Sequence, residues 1–273
     1  MSTAVEIADA RVNRIGHQIY AGRSRAIIER ASIALRRSTW VPIATGFIEP
    51  VLYLFAFGYG MGKLIGDFQT PFGLLSYTAY IAPGLLATSA MNGAIYDSTW
   101  NVFFKLHESK LYQGMLATPL GPLDVALGEM VWALLRGLTY ATVFLLITAP
   151  LGLVPGFGSV LAIPAAVLIA FAFASFGMAI TSYFNSYHQM GLINLVLLPL
   201  FLFSGSLYPI SVYPDWLEMI IKLLPTWHGI ELVRHIWFGS FNFALLTHFV
   251  YFLIMIGIGI FFTTRRLRNL FMR

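Results

Sequence analysis

Phe243–Thr263 reads FALLTHFVYFLIMIGIGIFFT, 21 residues without Asp, Glu, Lys or Arg, and Arg265, Arg266 and Arg268 follow it at once. An uncharged apolar run of that length matches the roughly 20 helical residues that cross the hydrocarbon of a bilayer, and a basic flank marks its headgroup end. Working back from it, comparable runs occupy about Val41 to Met61, Leu74 to Tyr96, Val125 to Ala149, Ser159 to Thr181 and Gly191 to Leu207. The expectation is an all-α, polytopic membrane protein with six transmembrane helices. Composition agrees: 58% of the residues are apolar and only 11% charged, against roughly a quarter charged in a soluble domain. Cysteine is absent, which excludes disulfides, thiolate metal sites and cysteine nucleophiles.

An even number of spans puts both ends on one side. That side receives Arg11, Arg14, Arg23, Arg25, Arg30, Arg36, Arg37, Lys105, Lys110, Arg265, Arg266, Arg268 and Arg273, thirteen of the 17 basic residues. The other side receives Lys63, Lys222 and Arg234, and Arg136 falls within a span. The positive-inside asymmetry predicts a multi-pass plasma-membrane protein with both termini cytoplasmic. It also accounts for the net charge of +5 without a nucleic-acid partner, because the basic residues cluster at membrane flanks. About 40 arginine-rich residues precede the first span, unlike a secretory leader, whose apolar core lies near the start.

The segments between spans carry their own patterns. Residues 1–40 are read as a cytoplasmic tail and interfacial helix, 41–264 as the transmembrane domain, and 265–273 as a basic tail. From His17 to Arg37, Ile19, Tyr20, Ile27, Ile28, Ala31, Ala34 and Leu35 recur at helical spacing among arginines, predicting a helix on the inner leaflet; residues 1–15 read better as a disordered basic tail. Between spans two and three, about 103–117, Phe103, Phe104, Leu106, Leu111, Met115 and Leu116 alternate with Lys105, His107, Glu108, Lys110 and Gln113 before Pro119 and Pro122. That predicts a short amphipathic helix, which either rests on the membrane or docks a cytoplasmic partner. On the outer side, about 211–240 is too polar to span and too apolar to be a free loop. Pro225 divides it into two short helices expected to dip into the outer leaflet, with Trp216, Trp227 and Trp237 at the interface.

The search for chemistry finds no Gly-rich phosphate loop ending in Lys-Ser/Thr, no His-Glu-x-x-His and no Gly-x-Ser-x-Gly. Gly58, Gly60 and Gly62 lie in an apolar run and favour close helix packing. His228 and His235 lack a third metal ligand in the pattern. Ionisable residues within spans cost several kcal/mol, about 2.5–3.5 for a central Arg or Asp, so they need partners. At about 1.5 Å per residue, Glu49 and Arg136 lie roughly 12 and 16 Å deep, and Glu129 shares nearly the same helix face as Arg136. The expectation is a Glu49–Arg136 pair, shared with Glu129, fixing span one against span three; a proton relay through the same groups is the alternative. Phe55, Phe57, Tyr59, Tyr77, Tyr80, Phe201, Phe203 and Tyr208 lie toward the outer halves of spans one, two and five. They read either as lipid-facing packing or as an aromatic wall for an amphipathic substrate.

The order of these parts resembles the permease subunits of type-2 ATP-binding-cassette exporters, most closely the branch of nodulation-factor (lipo-oligosaccharide) and drug exporters. The stretches that carry the likeness are FIEPVLYLFAFGYG at 47–60, YIAPGLL at 80–86, MLATPLGP at 115–122 and FSGSLYPI at 203–210. The resemblance implies a non-catalytic half-transporter. Two permease copies would pair around a substrate path within membrane lipid, and a separate ATPase subunit carrying ATP and Mg would dock on Phe104, Lys105, Glu108, Lys110, Leu111 and Met115, and on the N-terminal helix. The chain itself would bind no cofactor. Trp216, Pro225, Trp227, Glu231 and Arg234 would form an outer gate. Two other classes compete: a proton-coupled secondary transporter using Glu49, Glu129 and Arg136, and a lipid-carrier transferase built on Asp97, His107 and Glu108.

Overall fold

A computed structural model describes residues 22–36 and 48–271 of the 273. The expected start of span one at Val41 and the first part of the interfacial helix lie outside the described residues. Helix α1 covers Ser24–Arg36. Helix α2 runs over residues 48–65, with π-helical turns at Leu54–Met61. A two-stranded antiparallel hairpin follows, β1 Asp67–Thr70 and β2 Gly73–Ser76. Next come α3 Tyr77–Tyr96, α4 Leu111–Leu116 and α5 Pro122–Thr148. The remainder is α6 Ala162–Thr181, α7 Tyr187–Leu202, α8 Asp215–Ile221, α9 Pro225–Trp237 and α10 Phe243–Phe271.

Among the described residues three helices are long and apolar enough to cross a membrane: Pro122–Thr148, Gly158–Thr181 and Phe243–Phe271. Helix α7 is apolar but shorter. It stops at Leu202, short of the expected Leu207, because Gly205 adopts a left-handed φ of 77° and Ser204 turns its hydroxyl onto the Phe201 carbonyl at 2.6 Å. The expected second span begins three residues late. Leu74–Ser76 pair with β1, since Gly73 (φ 107°) closes the turn and Thr70 Oγ1 donates to the Gly73 carbonyl at 2.8 Å. Ser76 then caps α3, accepting from the Ala79 N–H at 3.3 Å. The chain is thus mostly helical, as the all-α expectation has it, with one small hairpin besides.

Helices α3, α5, α6 and α10 form the packed core. Helix α6 and α10 make the most extensive contact. Gly259 permits it: a Cβ there would stand 2.6 Å from the Ser175 backbone carbon, the close approach by which small residues let membrane helices pack. At the start of α5, α1 lies against it, where a Cβ on Gly128 would strike Ile27 at 2.7 Å. Asp124 secures this junction. Fully buried, it accepts from the Gly121 N–H at 2.9 Å, capping its own helix, and from the Arg23 N–H at 2.8 Å, holding the start of α1.

Candidate functional site

The element that positions the first site is the continuation of α3. The helix does not end at Tyr96. It runs on through π-helical turns at Asp97–Asn101 and Phe104–Glu108, giving about 45 Å in all against a hydrocarbon core of about 30 Å. The amphipathic segment expected over 103–117 is therefore not one helix. Its first half belongs to α3, and Lys110 breaks it with a left-handed φ of 49° before α4.

This extension carries acid and base alongside α5. Arg136 Nε lies 2.9 Å from Asp97 Oδ2, with the side chains 13% and 3% exposed. Lys105 Nζ lies 2.6 Å from Glu129 Oε2, also buried. Asn101 donates to Asp97 Oδ1 at 3.4 Å. Tyr112 of α4 is fully buried beside them. Burial, then the neighbouring Glu129 carboxylate, pushes its phenol well above the ordinary value, so it stays protonated. The expected Glu49–Arg136 pair is not formed. Glu49 is exposed and accepts from the Tyr53 hydroxyl one turn on, at 2.9 Å. The correction has a physical cause: the prolonged α3 brings Asp97 to the level of Arg136, and Lys105 takes Glu129.

The six expected docking residues divide by face. Phe104, Glu108 and Lys110 are exposed, Met115 is buried, and Lys105 and Leu111 are partly covered. The transferase set is not assembled: Asp97 holds Arg136, His107 Nε2 meets the Phe184 carbonyl at 2.7 Å, and Glu108 faces outward.

A lateral cleft of about 270 Å³ opens between α2, α3 and α7. Glu49 and Tyr53 come from α2, Thr88, Asn92, Tyr96 and Trp100 from α3 and its extension, and Asn194 and Phe201 from α7. Tyr53 stacks on Phe201 at 5.4 Å. The Asn92 and Asn194 amides make no hydrogen bond among the described residues, so this cleft offers carboxylate, amide and aromatic surface together. Of the eight aromatic residues that could form a wall for a substrate, only Phe201 lines it. Phe55 and Tyr59 stack on each other at 5.6 Å on an exposed face, Phe57 leans on Tyr53, and Phe203 leans on Tyr213. Tyr77 and Tyr80 are core residues. Asn92 and Asn194 escaped the sequence reading, although uncharged amides within apolar runs are its visible signal.

Helices α8 and α9 meet at Pro225. Arg234 is 2% exposed and works as an anchor. It donates to the Gly205 and Ser206 carbonyls at 2.6 and 3.2 Å, pairs with Glu231 at 3.0 Å and lies 4.0 Å over the Tyr80 ring. Phe72 of the hairpin stacks on Phe238 at 5.1 Å. Trp216 is exposed, whereas Trp227 sits edge-on to His228 and His248. His228 Nδ1 meets His248 Nδ1 at 2.7 Å. Burial, then His248, lowers the His228 imidazole to about 4, so it is neutral near pH 7. Among the described residues no group of three or more His, Asp or Glu is placed to hold a metal ion.

Comparison with known proteins gives a consistent picture. The ABC-2 type transporter family matches residues 23–238. Nodulation protein J of Rhizobium leguminosarum bv. trifolii is 31% identical over 249 residues, covering 91% of this chain and 94% of that protein. The bv. viciae protein of the same name is 30% identical with 91% and 95% covered. A probable multidrug ABC transporter permease, YbhR of Escherichia coli K12, is 25% identical over 60% of this chain and 45% of its own length.

Proposed function

The chain belongs to the ABC-2 type transporter family, a family of membrane transport components and not of catalytic enzymes, and on that premise we propose that it is the permease subunit of an ATP-driven exporter. The observation that carries this reading is the match to nodulation protein J over nearly the whole of both chains. In this reading the described helices and the segment from Val41 make six spans, with both ends cytoplasmic. Two copies pair in the plasma membrane, and ATP and Mg are held by a separate ATPase. The ATPase docks on the outward-facing side chains Phe104, Glu108 and Lys110 at the α3–α4 break. Closure of the ATPases tilts the permeases as rigid bodies and re-exposes the substrate path. The buried pairs between α3 and α5 make the docking segment and span three move together.

The lining of the cleft supports one substrate class over another. Carboxylate and amide groups with stacked aromatic rings suit a hydroxyl- or amide-rich headgroup, and the apolar helices around them suit an attached acyl chain. A glycolipid or lipo-oligosaccharide fits that description better than a wholly apolar drug. Filling the cleft tests it. Asn194→Trp is expected to cut export at least tenfold at normal expression, while Leu253→Trp, on the exposed face of α10, leaves export unchanged. Full export by the Asn194→Trp protein would remove the cleft from the path.

A further inference from the structure

A second groove, of about 480 Å³, lies between the start of α5 and the inner end of α10. We propose that it binds one anionic phospholipid, the phosphate on Arg265 and Arg268 and an acyl chain along α10. Its floor is apolar, with Leu123 of α5 facing Gly257 and Phe261 of α10. Gly257 leaves that floor open: a Cβ there would meet nothing within 4 Å. From Gly257 to Arg268 the groove runs about 17 Å along the helix, close to the roughly 15 Å depth of one hydrocarbon leaflet. Apolar floor and cationic mouth thus follow the order of a phospholipid from tail to head.

The mouth is chemically unfinished. Neither Arg265 nor Arg268 has an acidic partner among the described residues. Their neighbour Arg266 is satisfied within the protein, donating to the Ser182 carbonyl at 3.2 Å and lying 4.7 Å over the Tyr183 ring. Thr264 Oγ1, also on the groove wall, is buried with no hydrogen-bond partner. Two guanidinium forks are a donor set that takes a phosphate diester with several short bonds. Basic pockets between spans recognise anionic headgroups in this way. Charge selects this occupant over a zwitterionic lipid, and the two arginines without acidic partners select it over a second copy of the same basic chain end.

The test uses the purified full chain in detergent, supplemented with dioleoyl phosphatidylglycerol or dioleoyl phosphatidylcholine, with retained lipid counted by native mass spectrometry. The wild-type chain is expected to hold the phosphatidylglycerol at least tenfold more tightly. The Arg265→Gln/Arg268→Gln protein loses that preference. Gly257→Leu adds bulk to the open floor, where a Cβ meets nothing within 4 Å, so it is expected to keep the melting temperature in lipid-free detergent and to weaken phosphatidylglycerol binding severalfold. Arg25→Gln, an exposed arginine on α1, keeps the wild-type preference. Equal retention of the two lipids by the wild-type chain would overturn the proposal, as would a preference surviving either groove variant. So would a Gly257→Leu protein that turned from dimer to monomer with lipid binding unchanged. Should the double-arginine protein fail to fold, Gly257→Leu decides alone.

Discussion

Arg136→Gln is expected to destabilise the protein by about 3–5 kcal/mol, the usual effect of stranding one member of a buried ion pair. Asp97 is 3% exposed on its side chain and faces Arg136 at 2.9 Å, so removing the guanidinium leaves a buried carboxylate with no direct ion-pair partner. Asn101, at 3.4 Å, is too weak a donor to replace it. Asp97→Asn in the same chain should recover most of the loss, because two neutral amides can bond across the gap. The measurement is a double-mutant cycle on thermal melting in detergent. A large coupling is expected for Asp97 with Arg136 and none for Glu49 with Arg136. An additive Asp97–Arg136 cycle would mean that the pair contributes nothing to holding α3 against α5.

Gly114→Pro is expected to abolish ATPase coupling while the permease still folds. The substitution removes the N–H that reaches the Lys110 carbonyl at 3.5 Å, within a helix of six residues, and an interior proline costs a helix about 3 kcal/mol. Among the described residues nothing crowds that position: a Cβ on Gly114 meets no atom within 4 Å. The damage stays in the segment offered to the partner. Glu108→Lys and Lys110→Glu reverse exposed charges that form no ion pair among the described residues, so their cost also falls on docking and not on folding. Co-purification of the ATPase and its substrate-stimulated turnover should drop at least tenfold in the proline variant and severalfold in the charge reversals. Unaltered turnover in all three would place the docking surface elsewhere.

The uneven legibility of this chain has physical causes. Hydropathy marked α5, α6 and α10 because a crossing helix must be apolar along its whole length, and Pro225 marked the α8–α9 break because proline cannot donate within a helix. The partners of Arg136 and Glu129 were not legible. A buried charge states in the sequence that it needs a counterion, but helix rotation decides which one, and the π-helical turns after Tyr96 rotate and lengthen α3 in a way no periodicity shows. The hairpin at Asp67–Ser76 was hidden for a related reason: Leu74 and Leu75 look like the start of a span until the left-handed Gly73 commits them to a strand. Asp124, just before the apolar run from Val125, is the cap that ties α1 to α5, a role that hydropathy does not show. In the cleft, the aromatic residues drew attention by number, whereas the polar character comes from Glu49, Asn92 and Asn194, which three separate helices bring together.

The most direct test of the central claim is transport in proteoliposomes that contain this chain with its ATPase partner and a fluorescent lipo-oligosaccharide. The account predicts that substrate moves only when ATP, Mg and the partner are all present, with a proton gradient neither needed nor sufficient. Transport driven by a proton gradient in vesicles holding this chain alone would contradict it.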